Sequence, residues 1–155
     1  MHLTRRQIIT SAAGFAATMP IASYALSTPT IHVLKDPNCG CCGVWVDILR
    51  REGFHVSEER SLGTALVRYK LDNGIPEAMI SCHTGEIDGY MIEGHVPVAD
   101  IRRLLEERPD AVGLAVPGMP YGSPGTGPED EREAYDVFLI RHSGETEIFT
   151  RYDAA

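Results

Sequence analysis

The sequence is short of basic residues. It has 14 Lys and Arg against 22 Asp and Glu, a formal net charge of −8 over 155 residues. Nucleic-acid binding depends on neutralising phosphates with Lys and Arg, so this balance argues against a nucleic-acid partner. An acidic surface favours solubility and does not repel metal cations.

The sequence also lacks an apolar run long enough to cross a membrane. The run at residues 8–21 has about 14 residues and includes glycine and proline, whereas a spanning helix needs roughly 20. Arg5 and Arg6 precede it, and small residues follow. These features predict a twin-arginine-type export signal at residues 1–27, cleaved near residues 25–27.

Export predicts a periplasmic location with no membrane insertion after cleavage. Loss of residues 1–25 removes two arginines and no acids, which leaves 12 basic residues against 22 acidic ones, a formal charge of −10. The remaining chain, residues 28–155, has the length of one ordinary domain.

No second Cys-x-x-Cys pair accompanies the four cysteines, three of which crowd into Cys39, Cys41 and Cys42. Disulfides at that spacing would close very short loops and so remove little chain entropy. A closed zinc site is disfavoured, because adjacent cysteines cannot easily point at one tetrahedral ion. Thiolates that bridge several Cu(I) ions need not all point at one ion. The softness of the sulfur ligands and the close spacing of the cysteines therefore favour copper.

The hydrophobic pattern alternates strands and helices. We expect strand 30–35, helix 44–52 with the cysteines at its N-terminus, strand 54–58, helix 62–71, a hairpin within 79–96 and helix 98–107. This β-α-β-α-β-β-α order is that of thioredoxin-like domains. The expected fold is a single α/β domain of that type, with a mixed sheet and flanking helices.

The C-terminal third contains a loop followed by two strands. Residues 113–128 are so rich in glycine and proline that we expect neither a helix nor a strand ladder there. Strands at 135–140 and 147–152, joined through Ser143-Gly144, are expected to extend the sheet.

The hairpin register decides whether Cys82 joins the other cysteines. Asp88-Gly89 is a strong two-residue turn signal, and it would place Cys82 opposite His95 at the open end of the hairpin. Opposed side chains of this kind lie close together. A turn at Thr84-Gly85 would instead carry Cys82 to the far tip.

Other soft or imidazole side chains are less distinctive. Met119, in the Gly/Pro loop, is either a soft ligand or a plug for a hydrophobic gap. Met79 and Met91 are expected in the core. The isolated histidines are expected to have no role in the site; they are His2, His32, His55 and His142.

Four segments together resemble the CopG-like family of periplasmic metal-binding proteins: 36–45, 81–84, 89–97 and 113–125. The resemblance implies a thioredoxin-like fold, copper binding and a role in copper resistance that includes cycling between Cu(I) and Cu(II). By position it assigns the metal to Cys39, Cys41, Cys42, Cys82, His95 and Met119. The family usually has a second loop methionine where this chain has Thr126.

Three functions remain open at this stage. The first is a metal-binding protein that holds Cu(I) as a multinuclear thiolate cluster, with no catalytic residue assigned. The second is a thiol–disulfide oxidoreductase, because Cys39 and Cys42 also form a Cys-x-x-Cys pair at a helix start. The third is a metallochaperone that delivers copper to periplasmic copper-handling proteins or to a membrane exporter.

Overall fold

The computed structural model describes residues 29–155. The export signal predicted at residues 1–27 lies outside the described residues. Within the described part, no helix is both long and apolar enough to cross a membrane.

Three α-helices and seven strands make up the described chain. In chain order they are β1 Thr30–Lys35, α1 Gly40–Arg51, β2 His55–Arg60, α2 Gly63–Asp72, β3 His83–Ile87, β4 Tyr90–Glu93, α3 Val98–Glu107, β5 Gly113–Ala115, β6 Tyr135–Ile140 and β7 Thr146–Tyr152. The expected order of the first seven elements is confirmed. Helix α1 starts earlier than predicted, so two of the clustered cysteines lie in its first turn.

All strands belong to one mixed sheet in the order β2-β1-β3-β4-β5-β6-β7. The β1–β2 and β4–β5 pairs are parallel, and the other neighbours are antiparallel. The predicted α/β class with a mixed sheet is confirmed. The two C-terminal strands extend the sheet beyond β5, as expected.

The prediction that no ladder runs through residues 113–128 is wrong. Gly113–Ala115 forms β5, which pairs with β4 on one side and β6 on the other. None of these three residues is a proline, so each has the backbone N–H that a strand ladder needs. A Cβ at Gly113 would collide with the backbone of Met91, which explains why glycine begins this strand.

The hairpin register is the one predicted from Asp88-Gly89. Ile87 pairs with Tyr90, and both turn residues have positive φ, 55° for Asp88 and 87° for Gly89, as a type I′ turn requires. Beyond the strands, the Gly94 N–H donates to the His83 carbonyl at 3.1 Å. Cys82 and His95 therefore meet at the open end.

Helix α1 is anchored to that same end of the hairpin. Trp45 is fully buried, and its indole N–H donates to the Val96 carbonyl at 3.0 Å. Across the sheet, a Cβ on Gly85 would lie 2.9 Å from the Ile31 side chain, so glycine permits close packing beneath Trp45. This packing brings the cysteines at the start of α1 to the open end of the hairpin.

Candidate metal centre

The clustered cysteines lie where β1 gives way to α1. Cys39 occupies the N-cap position of the helix, and its N–H donates to the Asp36 carbonyl at 3.1 Å. Cys39 and Cys42 form a disulfide, while Cys41 is a free thiol whose sulfur lies 3.3 Å from that of Cys39. A single helical turn therefore presents three sulfurs at one place.

Cys82 adds a fourth sulfur from the hairpin. Its Sγ lies 3.3 Å from the Sγ of Cys42, which is completely buried. All four cysteine sulfurs lie within 4.8 Å of one another. The expectation that the Asp88-Gly89 register would bring Cys82 to the helix start is confirmed.

His95 is oriented as metal-binding histidines usually are. Its Nε2 lies 3.3 Å from Cys82 Sγ, and its Nδ1 lies 2.8 Å from the Pro124 carbonyl. Because a carbonyl only accepts hydrogen bonds, Nδ1 carries the proton and the Nε2 lone pair faces the sulfurs. An outer partner of this kind fixes the tautomer of a ligand histidine. Burial lowers the pKa of His95, which favours the neutral imidazole.

His83 also lies at the site, and sequence reasoning missed it. Its Nδ1 is 3.3 Å from Cys82 Sγ, and its ring packs against Trp45 and His95 at centroid distances of 4.4 and 4.9 Å. Strand alternation would place neighbours on opposite faces, but Cys82 precedes β3 and escapes that rule. The sequence signal that could have identified His83 as a site residue is its position directly after Cys82.

The two imidazoles differ on the side of the ring that faces away from Cys82. Among the described residues, the buried Nε2 of His83 has no hydrogen-bond partner, whereas the Nδ1 of His95 has the Pro124 carbonyl. Burial, helped by His95, holds the pKa of His83 well below its usual range. Burial thus favours the neutral form of both rings, but of the two only His95 has the outer partner typical of a ligand.

Met119 lies on the exposed side of the site. Its Sδ is 3.6 Å from Cys41 Sγ, and the residue is 58% exposed. This exposure rules out the alternative in which Met119 fills a hydrophobic gap. The loop packs onto α1 through Gly125, where a Cβ would lie 3.1 Å from the Cys41 carbonyl.

Thr126 replaces the second loop methionine of the family pattern, and its hydroxyl serves the loop itself. It donates to the Pro120 carbonyl at 2.6 Å and lies 3.0 Å from the Ser123 hydroxyl. The loop of this chain therefore offers one thioether to the site.

The residues expected to have no site role lie elsewhere. His32, His55 and His142 are exposed, and His2 is outside the described residues. Met91 is buried in a second, smaller core cluster. Met79 lies in a short 3-10 helix instead of a strand and packs partly buried against that same cluster.

The donor set is soft. It comprises four cysteine sulfurs, one thioether and one oriented imidazole, with a second imidazole adjacent. Burial, with the neighbouring Cys41, raises the pKa of Cys82 to about 11, so this thiol needs a nearby cation to lose its proton. Soft thiolates and thioethers prefer Cu(I), zinc and iron–sulfur clusters, and the residues fit a soft metal.

One family model and two solved structures match the chain. A family model described as "Protein of unknown function, DUF411" matches residues 79–126. No curated protein sequence matches. A solved structure named "Copper resistance protein copG- Form 1" is 44% identical with a TM-score of 0.77, covering 83% of this chain and all of that one.

A second solved structure, "Copper resistance protein copG- Form 2", is also 44% identical, with a TM-score of 0.75. The similarity covers 81% of this chain and 99% of the other. Identity at this level over most of both chains confirms the resemblance found in the motifs. The chain belongs to the CopG-like family.

Proposed function

We propose that this protein binds Cu(I) through its clustered thiolates in the periplasm and thereby contributes to copper resistance. The observation that carries the proposal is the convergence of four cysteine sulfurs within 4.8 Å of one another. The names of the related structures support copper as the metal. Thiolate and thioether donors favour Cu(I) over harder divalent ions.

The contacts of Cys41 and Cys42 support more than one bound ion. Cys41 contacts Met119 on the exposed side, whereas Cys42 contacts Cys82 in the interior. Adjacent residues thus serve opposite sides of the site, which suits thiolates that bridge several ions. This division favours a multinuclear Cu(I) cluster.

The remaining residues have supporting roles in the proposal. His95 would donate its Nε2 lone pair, held in place by the Pro124 carbonyl. The Cys82 proton would leave as copper binds, since thiolates and not thiols are the ligands. Met119, being exposed, would be the first ligand to meet incoming copper or a periplasmic partner or exporter that receives it.

The finer fold and location are parts of the same proposal. The order β2-β1-β3-β4, with a cysteine motif after β1 at the start of α1, supports a thioredoxin-like core. The twin-arginine pattern of residues 1–27 supports export to the periplasm. Cycling between Cu(I) and Cu(II) is compatible with the mixed sulfur and nitrogen donors.

Metal analysis tests the proposal directly. Protein purified from the periplasm and kept reduced and anaerobic should bind more than one equivalent of Cu(I) per chain. The copper should give no Cu(II) signal by electron paramagnetic resonance. Recovery of zinc in place of copper would contradict the proposal, and saturation at one equivalent would contradict the cluster.

The Cys39–Cys42 disulfide favours a second candidate function, thiol–disulfide exchange. Its position at the start of α1 is that of redox-active pairs, because a helix N-terminus stabilises a thiolate. However, a free thiol lies 3.3 Å from each disulfide sulfur, Cys41 beside Cys39 and Cys82 beside Cys42. These thiols would divert the exchange.

Insulin reduction separates the two candidates. Metal-free protein is expected to reduce insulin no faster than a blank without protein, because the Cys41 and Cys82 thiols compete for the disulfide. Sustained metal-independent turnover, lost in Cys39→Ser, would instead establish the oxidoreductase.

A further inference from the structure

A buried ion pair lies next to the candidate centre. Lys70 of α2 is 1% exposed and Glu93 of β4 is fully buried, and Lys70 Nζ lies 2.6 Å from Glu93 Oε1. Removing two charges from water is costly, and a hydrophobic pair in the same place is often as stable. Among the described residues, Glu93 Oε2 has no hydrogen-bond partner, which makes stability alone a poor explanation for the pair.

The ion pair holds both backbone polar groups of one residue, Ser81. The Ser81 N–H donates to Glu93 Oε1 at 2.6 Å, and Lys70 Nζ donates to the Ser81 carbonyl at 2.7 Å. Hydrogen bonds to charged groups are stronger than neutral ones. We call these two hydrogen bonds to Ser81 the clamp. Ser81 directly precedes Cys82, so the clamp fixes the position at which the backbone of Cys82 begins.

Ser81 also contacts the residues that precede two other candidate ligands. Its hydroxyl donates to the carbonyl of Gly118, which precedes Met119. Its side chain packs so closely against Gly94, which precedes His95, that a Cβ there would lie 2.7 Å from Ser81 Cβ. One residue therefore links three segments of the site.

We propose that the Lys70–Glu93 pair is a positioning device for the metal centre and acts through Ser81 on Cys82, His95 and Met119. Neither charged group binds the metal. The pair anchors helix α2 to Ser81, the residue that the three ligand segments share. It thereby fixes the distances between these segments before the metal binds. This inference rests on the proposed Cu(I) binding.

The first test replaces both charged residues, so that no single charge is left buried. Lys70→Met with Glu93→Met should leave the far-UV circular dichroism of the reduced, metal-free protein unchanged. Its Cu(I) affinity, measured by competition with a chromophoric chelator, should fall by about tenfold to a hundredfold, as for outer-shell residues in other metal sites. Copper K-edge X-ray absorption should show fewer sulfur neighbours per copper.

A matched control lies on the same helix. Arg68 and Asp72 form an exposed pair at 3.5 Å, so Arg68→Met with Asp72→Asn should keep wild-type Cu(I) affinity and spectrum. Exposed pairs of this kind contribute little. Equal losses in both double variants would overturn the proposal by making the effect a general one of α2.

A second test does not depend on the buried charges. Ser81→Ala and Met119→Leu should each weaken Cu(I) binding. The combined loss should be smaller than the sum of the two single losses, because the Ser81 hydroxyl acts on Met119 through the Gly118 carbonyl, besides lying 3.9 Å from Cys82 Sγ. Additive losses, or wild-type affinity in the Lys70/Glu93 double variant, would overturn the positioning role. Wild-type protein that binds no Cu(I) would instead refute the proposed function itself.

Discussion

Protein oxidised at Cys39 and Cys42 is expected to take up far less Cu(I) than reduced protein. The disulfide withdraws two of the four sulfurs, including Cys42, which is buried against Cys82. Thiolates, not disulfide sulfurs, are the ligands that Cu(I) requires. We expect a loss in affinity of about a hundredfold or more, since even outer-shell changes cost tenfold to a hundredfold.

Thiol titration and copper binding on the same samples check this prediction. The oxidised form should show two free thiols, those of Cys41 and Cys82, and the reduced form four. The matched variant is Cys39→Ser with Cys42→Ser, which loses the same sulfurs without a disulfide. It should bind as little Cu(I) as oxidised protein, with or without reductant. Equal copper uptake by oxidised and reduced wild-type protein would exclude Cys39 and Cys42 as ligands.

Replacing Cys41 and Cys42 together by serine should abolish multinuclear copper binding. The two residues are adjacent but face different partners, Cys41 the exposed Met119 and Cys42 the interior Cys82. The double variant therefore loses both the sulfur that contacts Met119 on the exposed side of the site and the sulfur that contacts Cys82 in the interior. Copper bound per chain, measured anaerobically after chelator competition, should fall below one equivalent.

Two controls accompany the cysteine variant. Trp45 fluorescence should stay at the wild-type value in the metal-free form, because Trp45 holds its bond to the Val96 carbonyl in either protein. His142→Asn, at an exposed histidine remote from the cysteines in sequence, should keep the full copper content. Full copper binding by the Cys41/Cys42 variant would remove the clustered thiolates from the proposal.

Local sequence signals predicted the parts of the site that depend on short-range geometry. Asp88-Gly89 requires positive φ at two successive residues, and this defines the hairpin register. The register then places Cys82 beside His95, 13 residues apart. Apolar spacing likewise predicted the helix that carries Trp45, although its start at Gly40 came earlier than expected.

Features that depend on pairing with distant segments were not predicted. Gly113–Ala115 is too short to show a strand pattern and is a strand because β4 and β6 lie on either side of it. His83 faces the sulfurs because the chain bends before β3. Lys70 looks like any polar residue of an amphipathic helix, and only Glu93, 23 residues away, explains its burial.

The amino-acid sequence alone determined the chemistry of this protein: soft sulfur donors at one helix start, a hairpin that returns a fourth cysteine, and a Gly/Pro-rich loop with one methionine. These follow from residue type and local backbone preference. Only the tertiary structure decided which side chains share the site with the sulfurs, and how they are held. Burial, orientation by Pro124 and the clamp on Ser81 arise from contacts between segments far apart in the chain, and no local pattern encodes such contacts.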